Sequence, residues 1–289
     1  MANRDIAYIV PSDYVRAARF AYYLNFNRSS HMHGGYDFSG KTVLVTGGTR
    51  GIGRGIAEAF LACGAQVAVC GRRAPDELVQ VDGREAVFFQ ADVREPEQVR
   101  ALLDKVVARF GRLDTLINNA GGSPHVMAAD ASARFHEAIV RLNLLAPLDL
   151  AQRANAIMQA QQGGGVILFI GSVSALRPSP GTAAYGAAKA GVLSLVRSLA
   201  VEWAPKVRVV ALSPGLVLTE ESHQHFGDEA GIAAVAKTIP LGRLALPQDI
   251  GAACLFLSSP AAVYAAGSNL VLDGGGERPA FLSAANAER

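Results

Sequence analysis

"KTVLVTGGTRGIGRGIAEAFLACGAQVAVCG" (41–71) decides the fold. It opens on a short β-branched apolar run, Lys41–Val45, and breaks at a glycine-rich turn. A helical stretch follows to about Cys63, and a second apolar run, Gln66–Gly71, completes the unit. A strand, a turn and a helix leading to another strand make a parallel pair with a crossover. The turn reads "TGGTRGIG", with Gly47, Gly51 and Gly53 spaced Gly-x-x-x-Gly-x-Gly. Gly47 permits a sharp turn, while Gly51 and Gly53 let backbone approach a pyrophosphate at a helix N-terminus, where free N–H groups attract anions. The plainer alternative is a helix-capping turn with no ligand.

Downstream the alternation continues. Apolar runs at 86–93, 113–122, 165–174, 206–215 and 268–276 read as strands. Helices are expected at 95–111, about 130–160 and 185–203, the first closed by Gly111. Strands that are nearly unbroken apolar runs belong to a parallel sheet covered on both faces. The expectation is therefore α/β: one doubly wound (Rossmann-type) domain with a parallel sheet of about seven strands. Ligands of such sheets bind beyond the carboxyl ends of the strands. The suggestive residues all fall there: Gly47–Gly53, Gly71–Arg73, Asp92, Asn118–Gly121, Ser172 and Ser213–Gly215.

Composition removes several alternatives. The 289 residues are 50% apolar with a net charge of +2, and their arginines are scattered, which gives no reason to expect nucleic acid. Cys63, Cys70 and Cys254 are too far apart for a disulfide framework or a zinc knuckle. The histidine pairs His31/His33 and His223/His225 lack a third ligand at useful spacing, so no metal is expected. No uncharged apolar run reaches the roughly 18 residues that span a bilayer. A cytoplasmic setting is the default expectation. Residues 1–31 hold four of the seven tyrosines and no glycine. They read as an extension, either dispensable or an added surface, before a catalytic domain over 32–289.

The end of the second strand bears on the choice of nucleotide. A protein binding NAD usually places an acid there, on the adenosine ribose. This chain has Gly71 followed by Arg72 and Arg73, with Arg50 in the glycine loop. Guanidinium groups suit a 2′-phosphate through charge-assisted, often bidentate pairing. NADP(H) is the expected cofactor, with NAD(H) possible; Arg73 is either a second phosphate partner or a solvated surface charge.

One further pair stands out. "YGAAK" places Tyr185 and Lys189 one helical turn apart, and no other tyrosine here has a lysine four residues on. With "TGGTRGIG", "NNAG" (118–121), Asn143 in "RLNLLAP", Ser172 thirteen residues before Tyr185, and "SPGLVLT" (213–219), the chain from about Lys41 to Gly276 resembles the short-chain dehydrogenase/reductase (SDR) family. The likeness is to its shorter single-domain branch, which includes 3-oxoacyl-[acyl-carrier-protein] reductase-like enzymes. The resemblance implies an NADP(H)-linked carbonyl reductase acting on a ketone or secondary alcohol. Tyr185 would be the acid/base, Lys189 its nearby cation and a partner of the nicotinamide ribose, and Ser172 the holder of the substrate oxygen. Asn143 would support a water chain to Lys189. A phenol with a reference pKa near 10 is a sluggish acid/base unless an ammonium favours its phenolate. Ser174 competes with Ser172, and Asn143 has a packing role as its alternative.

The resemblance further implies cofactor contacts from Thr49 and Ile52 in the loop, Asp92 and Val93 beside the adenine, and Asn119, Ala120 and Gly121 at the sheet. Pro214, Gly215, Val217 and Thr219 would complete the nicotinamide side. It also implies a homo-oligomer, tetramer or dimer, through helices near 133–160 and 185–203. Val210 replaces the asparagine common in the family, and a local structural change is expected there. The small-molecule substrate is expected to be set by 123–127, 175–182 and a lid at about 216–241. Val126, Met127, Leu176, Leu216, Leu218 and Phe226 offer apolar lining there, and Arg177 and His223 offer polar handles. Two alternatives remain: an NAD-dependent alcohol dehydrogenase of the same family, and a non-catalytic NADP-binding sensor or scaffold.

Overall fold

Strand β1 (Thr42–Thr46) lies inside the sheet, and all five of its residues are buried. A computed structural model describes residues 35–277 and 279–284; the proposed extension, 1–31, lies outside the described residues. After β1 come α1 (Gly51–Ala62), β2 (Gln66–Gly71), the two-residue strands β3 (Gln80–Val81) and β4 (Arg84–Glu85), and β5 (Val87–Gln90). Then follow α2 (Pro96–Phe110), β6 (Thr115–Asn118), α3 (Ala133–Val140), a π-helical turn (Arg141–Leu145), α4 (Ala146–Ala160) and β7 (Gly165–Ile170). Helix α5 (Ala183–Glu202) leads to β8 (Val207–Pro214), and the segment expected to be a lid holds α6 (Ser222–Phe226) and α7 (Glu229–Thr238). Helix α8 (Pro247–Ser258) and β9 (Asn269–Leu272) complete the wound unit.

Seven strands form one sheet in the order β5-β2-β1-β6-β7-β8-β9, every pair parallel. The architecture is a single-domain Rossmann-type α/β fold with helices on both faces. Period-2 alternation divides the strand side chains between two cores. Leu44, Ala68, Leu116, Ile167, Phe169 and Val209 face one core, which α2, α4 and α5 cover. Val43, Val45, Val67, Val69, Ile117, Leu168 and Val210 face the other, under α1 and α8. Each fully buried large side chain in these layers contributes about 1.5–3 kcal/mol. The strand runs unbroken through Val210, which is completely buried.

Helix ends follow their chemistry. Pro96 occupies the first turn of α2, and Gly111, at φ 78°, takes the left-handed conformation that closes it. Ser132 caps α3 by accepting from Phe135 N, and Asp228 caps α7 by accepting from Gly231 N. The β3–β4 hairpin turns on Asp82 and Gly83, both at positive φ, a pairing that an Asp-Gly signal announces. Two departures from the sequence reading matter for function. The expected helix at 130–160 is divided by the π-turn that carries Asn143, and the segment expected to form a lid, 216–241, contains two short helices that the sequence reading did not specify.

Candidate active site

The glycine turn is built by exclusion of side chains. A Cβ on Gly53 would stand 2.2 Å from Gly47 O and 2.6 Å from Asn119 Nδ2, so only glycine lets α1 start this close to β1. Gly47 is at φ 61° and Gly51 at φ 51°. Asn119 Nδ2 donates to Thr46 O at 2.8 Å, and Thr46 Oγ1 accepts from Asn119 N and Ala120 N, both at 3.0 Å. Thr46 was not anticipated from sequence, yet it fixes the turn after β6 against the turn after β1.

These turns open onto a cleft of about 1310 Å³ along the carboxyl ends of the strands. Its lining contains Gly47, Thr49, Arg50, Gly51, Ile52, Gly53, Arg72, Arg73, Asp92, Val93, Asn119, Ala120, Gly121, Ser172, Tyr185, Lys189, Pro214, Gly215 and Thr219. The structure therefore gathers nineteen of the twenty-one sequence-derived site residues on one cleft. The two others lie behind it. Val217 forms an isolated parallel bridge with Ala245 and packs against the second core. Asn143 is fully buried beneath the cleft.

The charged lining is mixed. Arg50, Arg54, Arg72, Arg73 and Arg94 share the cleft with Asp76, Glu77, Asp92, Glu220 and Glu221. Asp92 is gripped by Arg94, whose Nε lies 3.0 and 3.1 Å from the two carboxylate oxygens and whose Nη2 is 2.5 Å from Oδ2. Those hydrogen bonds, helped by the nearby charge of Arg72, hold the Asp92 carboxyl below its usual range. Arg94 O in turn accepts from Arg141 Nη2 at 2.8 Å, which ties the strand end to the π-turn. The residues fit a dinucleotide: a cradle that a Cβ would fill and guanidinium groups at the end of β2.

Tyr185 and Lys189 project from α5 one turn apart; Lys189 is buried and Tyr185 half-buried at the cleft. Burial pushes the Tyr185 phenol above its ordinary value, and a hydrogen bond with Ser172 opposes that rise. Burial pulls the Lys189 ammonium down to about 8. Lys189 Nζ donates to Ile170 O at 2.7 Å and lies 5.6 Å from the centre of the Tyr185 ring. Ser172 begins a short 3-10 turn, and its Oγ accepts from Ser174 N at 3.1 Å. The rival hydroxyl, Ser174, faces away and accepts from Ser179 Oγ at 3.1 Å.

Asn143 is committed to backbone. Its Oδ1 accepts from Gly122 N at 2.9 Å, and its Nδ2 donates to Gly122 O at 3.0 Å and Ile139 O at 2.9 Å. A Cβ on Gly121 would meet Asn143 Oδ1 at 2.7 Å and Lys189 Nζ at 3.5 Å. Asn143 and Lys189 thus face the same glycine without touching each other. Of the segments expected to choose the substrate, two are joined by Val126 N donating to Gly181 O at 2.8 Å. Val126, Met127, Leu176, Leu216, Leu218 and Phe226 do not line the cleft itself. Arg177 pairs with Glu277 at 2.7 Å, and His223 Nδ1 is 3.0 Å from Gly227 O. Among the described residues no helix is long and apolar enough to cross a membrane.

Residues 47–277 match the family model described as enoyl-(acyl carrier protein) reductase. L-fucose dehydrogenase from Oryctolagus cuniculus is 37% identical over 85% of this chain and 88% of its own length. D-threitol dehydrogenase from Mycolicibacterium smegmatis is 37% identical over 83% of this chain and 95% of its own. The ligand-free structure of Thermoplasma acidophilum aldohexose dehydrogenase superposes with a TM-score of 0.77 at 28% identity, covering 88% of this chain and 97% of that one.

Proposed function

Because the chain belongs to the short-chain dehydrogenase/reductase family and is an oxidoreductase of CH–OH groups working with NAD(P)(H), we propose that it is an NADP(H)-preferring carbonyl reductase in which Tyr185 is the acid/base. The observation that carries this reading is the convergence of Ser172, Tyr185 and Lys189 on the cleft that also holds the glycine turn.

When bound, the nicotinamide gives a hydride to the carbonyl carbon or takes one from the alcohol. The chain manages the proton and the oxygen. Ser172 Oγ donates to the substrate oxygen. Tyr185 gives its phenolic proton to that oxygen in reduction and takes it back in oxidation. Lys189, charged below pH about 8, offsets the burial that makes the phenolate costly. Asn143 holds Gly121–Gly122 in place beside Lys189. Arg72 and Arg73, at the open end of β2, and Arg50 in the loop are the partners of the 2′-phosphate. The named relatives act on sugars and polyols, so a panel of carbonyl substrates should include polyhydroxylated ketones beside apolar ones.

Tyr185→Phe is the test. Turnover of any accepted ketone should fall about 10²–10⁴-fold, the usual contribution of a positioned acid/base, while NADPH affinity measured by fluorescence stays within about twofold, since the lost group is one hydroxyl. Near-normal turnover would defeat the mechanism. A sensor or scaffold that binds NADP without chemistry predicts no accepted ketone in the wild type.

A further inference from the structure

Arg50 leads into α1, and Glu221 leads into α6 of the lid. Arg50 Nη1 and Glu221 Oε1 are 2.5 Å apart, with the side chains 69% and 44% exposed. The surrounding backbone is close as well. A Cβ on Gly51 would stand 3.5 Å from Thr219 Cγ2 and 3.7 Å from Glu220 Oε2. The segment 219–221 therefore lines the cleft beside the glycine turn and brings two carboxylates near the start of α1. That helix has no acidic residue in its first turn and no side-chain cap, so its positive end is left for anions from elsewhere. Glu221 meets the one arginine that projects from the turn itself.

We propose that Glu221 is a selectivity residue: its carboxylate competes with the 2′-phosphate of the cofactor for Arg50, and so lowers the preference for NADPH over NADH. This rests on the reading that Arg50 serves the 2′-phosphate. A carboxylate and a phosphate dianion repel each other and cannot both sit on one guanidinium at full strength. NADPH must displace Glu221 from Arg50, whereas NADH leaves the pair intact. The same exchange frees the lid from the glycine turn only when the phosphorylated cofactor arrives. An exposed ion pair is worth little in stability, which makes it readily exchanged by a stronger anion.

Equilibrium titration of NADPH and NADH, followed by nucleotide fluorescence, tests this on the wild type, Glu221→Gln, Arg50→Gln and the double variant. Glu221→Gln should tighten NADPH about three- to tenfold, the range expected for losing an exposed pair plus carboxylate–phosphate repulsion, and change NADH less than about twofold. In the Arg50→Gln background the selective gain should vanish. Glu220→Gln, which removes the neighbouring charge without touching the pair, should shift both nucleotides alike. Equal tightening of both nucleotides by Glu221→Gln, no change, a gain that survives in the Arg50→Gln background, or a selective gain from Glu220→Gln would each overturn the proposal. If Arg50→Gln leaves the NADPH:NADH ratio unchanged, the 2′-phosphate reading fails as well. A collapsed ratio with Glu221→Gln silent defeats the competition alone.

Discussion

At the amino ends of the strands, the nearly buried carboxylate of Asp114 is met on every side. It accepts from Thr42 N at 2.9 Å, from Arg112 Nε at 2.7 Å and Nη2 at 2.5 Å, and from Lys41 Nζ at 3.4 Å. At the carboxyl ends, the buried ammonium of Lys189 has a carbonyl, Ile170 O, and the face of the Tyr185 ring. No carboxylate of the described residues pairs with it, and burial alone lowers its proton affinity. A buried charge that is fully partnered serves the fold, whereas one left without a counter-ion makes the fold less stable and has to be explained by what it does. The same sheet thus keeps a fully partnered charge at one end and, at the other, a buried charge without a counter-ion, which the proposed mechanism puts to use.

The comparison breaks first at Lys189. Lys189→Met should reduce turnover about 10²–10⁴-fold, because the phenol loses its cation. Thermal unfolding at pH 7 should show a melting temperature no lower than wild type, since a buried ammonium has been replaced by an apolar chain of similar length. Asp114→Ala should do the reverse. It strands the buried Thr42 N–H and costs about 2–3 kcal/mol of stability in a denaturant titration, while kcat per folded molecule remains that of the wild type. A stable Asp114→Ala protein, or an unstable Lys189→Met one, would show that the two ends do not differ in kind. A smaller effect belongs to the rim. Arg72→Gln should weaken NADPH about tenfold, near the loss of one charge-assisted contact, and NADH less than about twofold. Equal losses would assign Arg72 to a contact that both nucleotides share.

The same division governs what was legible in the sequence. Seven strands, their parallel sense and the cleft at their carboxyl ends could be read because each is a local pattern: a β-branched run, a helical period, a glycine that no side chain could replace. That Ser172, Tyr185 and Lys189 would share one cleft was legible through their spacing. The π-turn was not, since the sequence around Asn143 keeps its helical period throughout. Pro147, which cannot donate to the carbonyl four residues back, was the available signal, and Asn118 Nδ2 now donates to Pro147 O at 3.2 Å. The pairings that tune the site were equally hidden. Thr46 with the turn at Asn119–Ala120, and Arg50 with Glu221, join side chains and backbone that only packing brings into register. The β3–β4 hairpin, by contrast, carries its own local signal in Asp82-Gly83. The helices of the 216–241 segment are short: α6 spans five residues, and α7 is alanine-rich and capped by Asp228, a local signal that was present in the sequence.

The smallest effect sharpens the contrast most, because it follows one proton. Unfolded, Lys189 titrates near 10.5; folded, burial brings it to about 8. Below pH about 8 both states hold the proton, and the cost of burying the charge is complete. Between about 8 and 10.5 the unfolded chain binds the proton that the native state has released, so stability rises with pH. The cysteines act in the opposite direction, but only above pH 9: burial raises Cys63 to about 11 and Cys70 to about 12, so the native state keeps protons that the unfolded thiols lose. These thiol contributions are shared by wild type and Lys189→Met and cancel in their difference. The stability advantage of Lys189→Met should therefore be flat from pH 6 to 7.5 and narrow by about 1 kcal/mol by pH 9, close to one unit of the shift. Denaturant midpoints of the two proteins across that range measure it. A gap that stays constant to pH 9 would mean that Lys189 keeps its charge in the folded protein, and that some anion at the carboxyl end does for it what Arg112 and Lys41 do for Asp114.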